Sequence, residues 1–65
     1  MTVLVNGSPR TTAQGTVAGL LGELTPAPQM LLVEHNGEAV LRTQWEATPI
    51  QEGDHIEILR VAAGG

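Results

Sequence analysis

Sixty-five residues are enough for one domain and one small core, since a chain this short buries only about 60% of the surface its unfolded form exposes. A formal net charge of −4, from seven acidic and three basic residues, excludes a basic face for neutralising nucleic-acid phosphates and suits partners with basic surfaces. The absence of cysteine removes disulfides, thiolate metal sites and thiol nucleophiles. No basic leader precedes an apolar run of membrane-spanning length, so a cytoplasmic protein engaging neither nucleic acid nor membrane is expected.

Hydrophobic residues make up 42% of the chain, with one Trp and neither Phe nor Tyr. The core must therefore come from Val, Leu and Ile, a composition suited to a small sheet packed on a helix. Met1 to Val5 reads as a strand, with Val3 and Val5 on one face and Leu4 on the other. Asn6-Gly7 is a hairpin signal, both residues tolerating positive φ. Pro9 to Ala13 is the returning strand, at an edge or offset because Pro9 cannot donate to a ladder.

Thr16 is an N-cap candidate. It precedes Val17, Leu20, Leu21 and Leu24, which fall at i, i+3, i+4 and i+7 as one apolar stripe. Gly19 and Gly22 each weaken that helix by about 1 kcal/mol relative to alanine, so tertiary packing must hold it. Pro26 and Pro28 mark its end and a loop. Met30 to His35 is the next strand, with Leu31 and Val33 on one face and Leu32 and Glu34 on the other. Asn36-Gly37 makes a second turn, and Glu38 to Leu41 a short strand.

Arg42 to Ala47 has no clear period and reads as a turn or one helical turn. Glu52-Gly53-Asp54 is a tight turn. In His55 to Val61, Ile56 and Ile58 face one way while Glu57, Leu59 and Val61 face the other. One helix covering one face of a small mixed sheet of four or five strands is the economical arrangement. It is an α+β fold of the β-grasp, or ubiquitin-like, kind, with residues 1–61 as the domain and 62–65 as a flexible tail.

Few side chains suggest chemistry. His35 and His55 lie at strand ends or turns with no third ligand at helpful spacing, the pattern of solvated surface residues. Asp54 is most simply a turn residue, and Trp45 a cap on the small core. Glu34 and Glu38 flank a turn and should face solvent. No nucleophile accompanies a base, and no glycine-rich phosphate loop occurs. The chain is not expected to be an enzyme, and no cofactor is expected to bind it.

Leu59 and Val61 should point away from the helix-covered face, and Leu32 with them. Together they would form an apolar patch beside the root of the tail, suited to docking partners.

The chain resembles the thiamine-biosynthesis sulfur carrier family, ThiS, over nearly its whole length. The matching pieces are Val5-Asn6-Gly7 and Thr16-Val17-Ala18-Gly19-Leu20-Leu21. Glu34-His35-Asn36-Gly37-Glu38 follows, then Trp45 ahead of Ile50-Gln51-Glu52-Gly53-Asp54-His55-Ile56-Glu57-Ile58. Ala62-Ala63-Gly64-Gly65 ends the match. Their order and spacing carry the likeness more than any single piece. The departures, Gly22 within the helix stripe and the proline-rich Thr25-Pro26-Ala27-Pro28, do not touch the tail.

The resemblance implies that the terminal carboxylate is adenylated by an activating enzyme using ATP, then converted to a thiocarboxylate that gives its sulfur to thiazole formation. Gly65 would bear the sulfur, with Ala62, Ala63 and Gly64 as the tail. The implied partners are an adenylating enzyme of the ThiF or MoeB type, a thiazole synthase of the ThiG type, and a sulfur donor such as a cysteine desulfurase or rhodanese. The chemistry suits such a tail. A carboxylate must become a mixed anhydride before it can be attacked, in a site that encloses it with ATP and excludes water. Glycine, lacking Cβ, makes the entering chain thin and leaves the carbonyl carbon open.

Three other readings compete. The small subunit that delivers sulfur for molybdopterin has the same fold and tail chemistry, but is longer, richer in Phe and has proline near the tail. A protein modifier would join Gly65 to target lysines through isopeptide bonds. A passive interaction module would make no use of the tail.

Overall fold

In the computed structural model, which describes residues 1–26 and 30–61, a five-stranded mixed sheet packs one face against a single α-helix. The elements are β1 (Thr2–Val5), β2 (Ser8–Thr11), α1 (Val17–Leu24), β3 (Leu31–His35), β4 (Glu38–Val40), a 3₁₀ helix (Arg42–Ala47) and β5 (His55–Arg60). The strand order is β2-β1-β5-β3-β4. β1 runs parallel to β5, and every other neighbouring pair is antiparallel. The expected β-grasp architecture is present. β1, β3, β4 and β5 each lose one residue at an end, and β2 begins one residue earlier and ends two earlier than the alternation suggested.

Both hairpins turn on Asn-Gly. Asn6 and Gly7 have φ of 50° and 84°, and Asn36 and Gly37 have 52° and 87°, the positive pair that matches the twist of the flanking strands. Asn6 has a second role. Its Oδ1 accepts from the Ile58 N–H at 2.6 Å and its Nδ2 donates to the Ile58 carbonyl at 3.1 Å. The side-chain amide thus stands in for a peptide group and continues the β1–β5 pairing beyond the point where β1 has turned away. Pro9 lies on the edge strand β2 opposite Leu4, where its missing N–H costs no ladder bond.

α1 begins as its sequence indicates. Thr16 is extended (φ −135°, ψ 162°), and its Oγ1 accepts from the Gly19 N–H at 3.1 Å. Val17, Leu20 and Leu21 are fully buried with Val3 and Ile56, and Leu31, Val33, Trp45 and Ile50 complete the core. Leu24 packs on its edge. Trp45 is the expected cap, and its Nε1 donates to the Val40 carbonyl at 3.1 Å. Gly19 admits Gln14, whose side chain occupies the space a Cβ would need.

Gly22 differs from Gly19: it is exposed, and nothing lies within 4 Å of where its Cβ would stand. Gly22→Ala is therefore expected to stabilise the fold by about 0.4–1 kcal/mol. That corresponds to a rise in Tm of roughly 2–8 °C for a domain of this size, measurable by thermal unfolding followed by circular dichroism. An unchanged or lowered Tm would contradict it.

Candidate functional site

β5 is the middle strand of the sheet and leads to the C-terminal residues. Its last described link is the Val61 N–H donating to the Met30 carbonyl at 2.8 Å, which fixes the root of the tail against β3. The tail itself, Ala62, Ala63, Gly64 and Gly65, lies outside the described residues, as does Pro28 in the loop after α1.

The alternation along β3 and β5 decides what surrounds that root. Val33 pairs with Ile58 and His35 with Ile56 on the helix-covered face. Leu32 then pairs with Leu59 on the opposite, open face. Leu59 is 66% exposed, Leu32 59% and Val61 42%, so the three residues expected to point outward do so, side by side. The structure adds Leu41, 64% exposed. With Arg42 and Trp45, these four line a groove of about 730 Å³, room for several partner side chains. Leu41 was hidden because Glu38 to Leu41 was read only as a short strand. Val40 faces the core opposite Val33, and the alternation carried one residue further would have turned Leu41 outward.

A second feature of the open face needed the register. Glu34 and Glu57 stand directly opposite each other on β3 and β5, both exposed. Like charges in that position destabilise a sheet. They border the apolar groove with negative charge, complementary to a basic partner rim.

The histidines and Asp54 require a correction. His55 is exposed as expected, but His35 is not simply solvated and Asp54 is more than a turn former. His35 Nε2 lies 2.7 Å from Asp54 Oδ2, with 22% and 14% of the two side chains exposed. The same oxygen accepts from the Gln51 N–H at 2.8 Å, and Asp54 Oδ1 accepts from Asn36 Nδ2 at 3.2 Å. An ionised carboxylate only accepts, so His35 Nε2 carries the proton between them. Asn36 Oδ1 in turn accepts from the His55 N–H at 2.9 Å. This cluster ties the β3–β4 turn to the turn before β5, at the end of β5 away from the tail.

Burial pushes the Asp54 carboxyl up, but hydrogen bonds from His35, the Gln51 N–H and Asn36, with the His35 charge, outweigh it and hold the pKa below its ordinary value of 3.8. A depressed carboxylate contributes stability that is complete above its unfolded pKa and is lost as pH falls through the lower folded value. The stability difference between wild type and Asp54→Asn should therefore shrink as the pH falls below 3.8. Urea midpoints measured from pH 7 to pH 2 test this; a difference that persists unchanged at pH 2 would refute it.

Among the described residues, no group of three or more His, Asp or Glu is placed to hold a metal ion, and no helix is long and apolar enough to cross a membrane. What the geometry offers is a central strand that delivers a chain end, beside an apolar face with an acidic border.

The ThiS family profile matches residues 3–65, which takes in all of the strands but Thr2, the helix and the tail. The chain belongs to the ThiS family. The crystal structure of the thiamine biosynthesis protein ThiS from Geobacter metallireducens superposes with a TM-score of 0.84 at 35% identity, covering 100% of both chains. An NMR structure of a thiamine biosynthesis protein from the same organism gives 0.79 at 36% identity, covering 100% of this chain and 88% of that one. Two curated relatives are thiazole synthases. The one from Magnetococcus marinus is 38% identical over 66 residues and that from Paramagnetospirillum magneticum 35%, each match covering 100% of this chain. The chain spans only 20% of the length of each, so a ThiS-like region forms about a fifth of those synthases.

Proposed function

We propose that this chain is a sulfur carrier for the thiazole of thiamine, with the Gly65 carboxylate as the carrying group. The observation that supports this most directly is the ThiS family match across the whole β-grasp domain and tail. In the proposed cycle, a carboxylate oxygen of Gly65 attacks the α-phosphorus of ATP in an activating partner and pyrophosphate leaves. The outer sulfur of a donor persulfide then attacks the acyl carbon and the bond to AMP breaks; a thiol next cleaves the S–S bond of the acyl disulfide, taking the inner sulfur into a disulfide and leaving a terminal thiocarboxylate. All the catalytic groups belong to partners: the ATP-using enzyme, a sulfur donor such as a cysteine desulfurase or rhodanese, and a thiazole synthase that accepts the sulfur. A thiazole synthase partner is supported by the two synthases that contain a matching region within one chain.

Leu32, Leu59 and Val61, joined by Leu41, serve as the docking face for those partners. Contiguous exposed leucines rimmed by charge are the mark of an interaction surface, and this one adjoins the strand that leads to the tail. The Glu34–Glu57 pair gives the partner a reason to be basic at its rim.

The test is an intact mass after incubation with ATP, an activating enzyme of this class and a sulfur donor. One C-terminal oxygen exchanged for sulfur is the expected product. An unchanged mass, alongside a partner that converts its own carrier under the same conditions, would overturn the proposal.

A further inference from the structure

The chain contains no lysine: its three cationic side chains are Arg10, Arg42 and Arg60. It also lacks cysteine. With Gly65 taken as the activated end, as proposed above, this composition bears on the fate of the acyl group. An acyl adenylate is captured by any uncharged primary amine within reach: the C–N bond forms, the bond to AMP breaks, and the amine's extra proton goes to solvent. A guanidinium, always protonated, supplies positive charge without offering a nucleophile.

The placement of the cations sharpens the point. Arg60 ends β5, one residue before Val61 at the tail root, and Arg42 lines the same groove as Val61 and Leu59. Arg10 lies on β2 and is paired with Glu23 at 3.7 Å. The α-amino group of Met1 is a primary amine, and it donates to the Thr12 carbonyl at 2.9 Å. Because Leu4 is level with His55 in the parallel β1–β5 pair, Met1 lies beyond the start of β5. The six steps from His55 to Val61 alone span about 20 Å. The four tail residues reach at most about 14 Å from Val61. The Met1 amine of the same molecule is out of range, as is the exposed imidazole of His55. Hydroxyl groups of Ser and Thr are weak nucleophiles without an adjacent base.

We propose that the surface around the tail is an amine-free zone, in which Arg42 and Arg60 provide the charge, so that the activated acyl group passes to an external sulfur nucleophile and is not captured by the carrier. A second consequence concerns conjugation. A second copy of the chain offers no lysine acceptor, so linked chains of copies cannot be extended through side chains.

The test introduces the missing nucleophile. Arg60→Lys and Arg42→Lys, both at exposed positions, are compared with wild type and with Gln51→Lys. Gln51 is exposed and lies before β5, beyond the reach of the tail. Each chain is incubated with the activating enzyme and ATP without a sulfur donor, and both pyrophosphate release and intact mass are followed. The two arginine variants are expected to accumulate an internal amide, seen as the loss of one water. Its rate should rise about tenfold per pH unit as free amine appears below a pKa of about 10.4. Wild type and Gln51→Lys should form none. An equal yield of internal amide in wild type, or none in either arginine variant while pyrophosphate is released as from wild type, would overturn the proposal. Absence of pyrophosphate release from wild type would instead overturn the assignment of Gly65 as the activated end.

Discussion

Deleting Gly65 is expected to lower activation by at least about a hundredfold while leaving Tm unchanged. The truncated chain still ends in a glycine carboxylate, now that of Gly64, so chemistry alone would predict no loss. Reach is what changes: one residue fewer withdraws the carboxylate by up to about 3.6 Å, and misplacement of a reacting group by about 1 Å can cost about 10²-fold in an enclosed site. The domain does not compensate, because Val61 is held to Met30 by a backbone hydrogen bond and β5 is locked between β1 and β3. The measurement is ATP–pyrophosphate exchange by the activating enzyme, with circular dichroism as the control for folding. Activation of the truncated chain at the wild-type rate would refute the argument from reach, whereas activation of neither chain would favour a passive interaction module, in which the tail has no part.

The fold was legible because its signals are local. Asn6-Gly7 and Asn36-Gly37 announce turns that demand positive φ, and all four residues adopt it. The stripe Val17, Leu20, Leu21 requires only the helical period, and all three are fully buried. The outward face of Leu32 and Leu59 followed from strand alternation, which any single strand displays. What stayed hidden depends on register. Glu34 meets Glu57, and His35 meets Asp54, only because β3 and β5 pair with one offset; a shift by one residue would separate both pairs. The dual use of Asn6, as turn residue and as surrogate peptide for Ile58, likewise joins positions 52 residues apart. Local patterns cannot encode such meetings. The proposed carriage of sulfur is further still from legibility, since it would reside in a carboxylate that every chain possesses and would be distinguished only by which surfaces lead to it.

Two leucines on opposite faces of the same sheet separate the fold from the function. Leu20 is fully buried among Val3, Ile56 and the rest of α1's stripe, and Leu20→Ala should cost about 2–5 kcal/mol. A domain of this size holds only about 3–10 kcal/mol in total, so the variant is expected to be largely or partly unfolded at 37 °C. Leu59→Ala removes the same atoms from a side chain that is 66% exposed, and should change stability by no more than about 0.5 kcal/mol. Its effect belongs to docking. Leu59 lies at the centre of the open face, directly opposite Leu32, the place where a partner would exclude water most completely. Truncation of such a central side chain costs about 2 kcal/mol or more, roughly a thirtyfold loss of affinity for the activating enzyme. Titration by calorimetry, beside urea unfolding of both variants, reads the two effects separately. Should Leu59→Ala bind as wild type does, the docking face would have to lie elsewhere. Equal destabilisation by the two substitutions would mean that the alternation of β5 places Leu59 in the core, against the register observed.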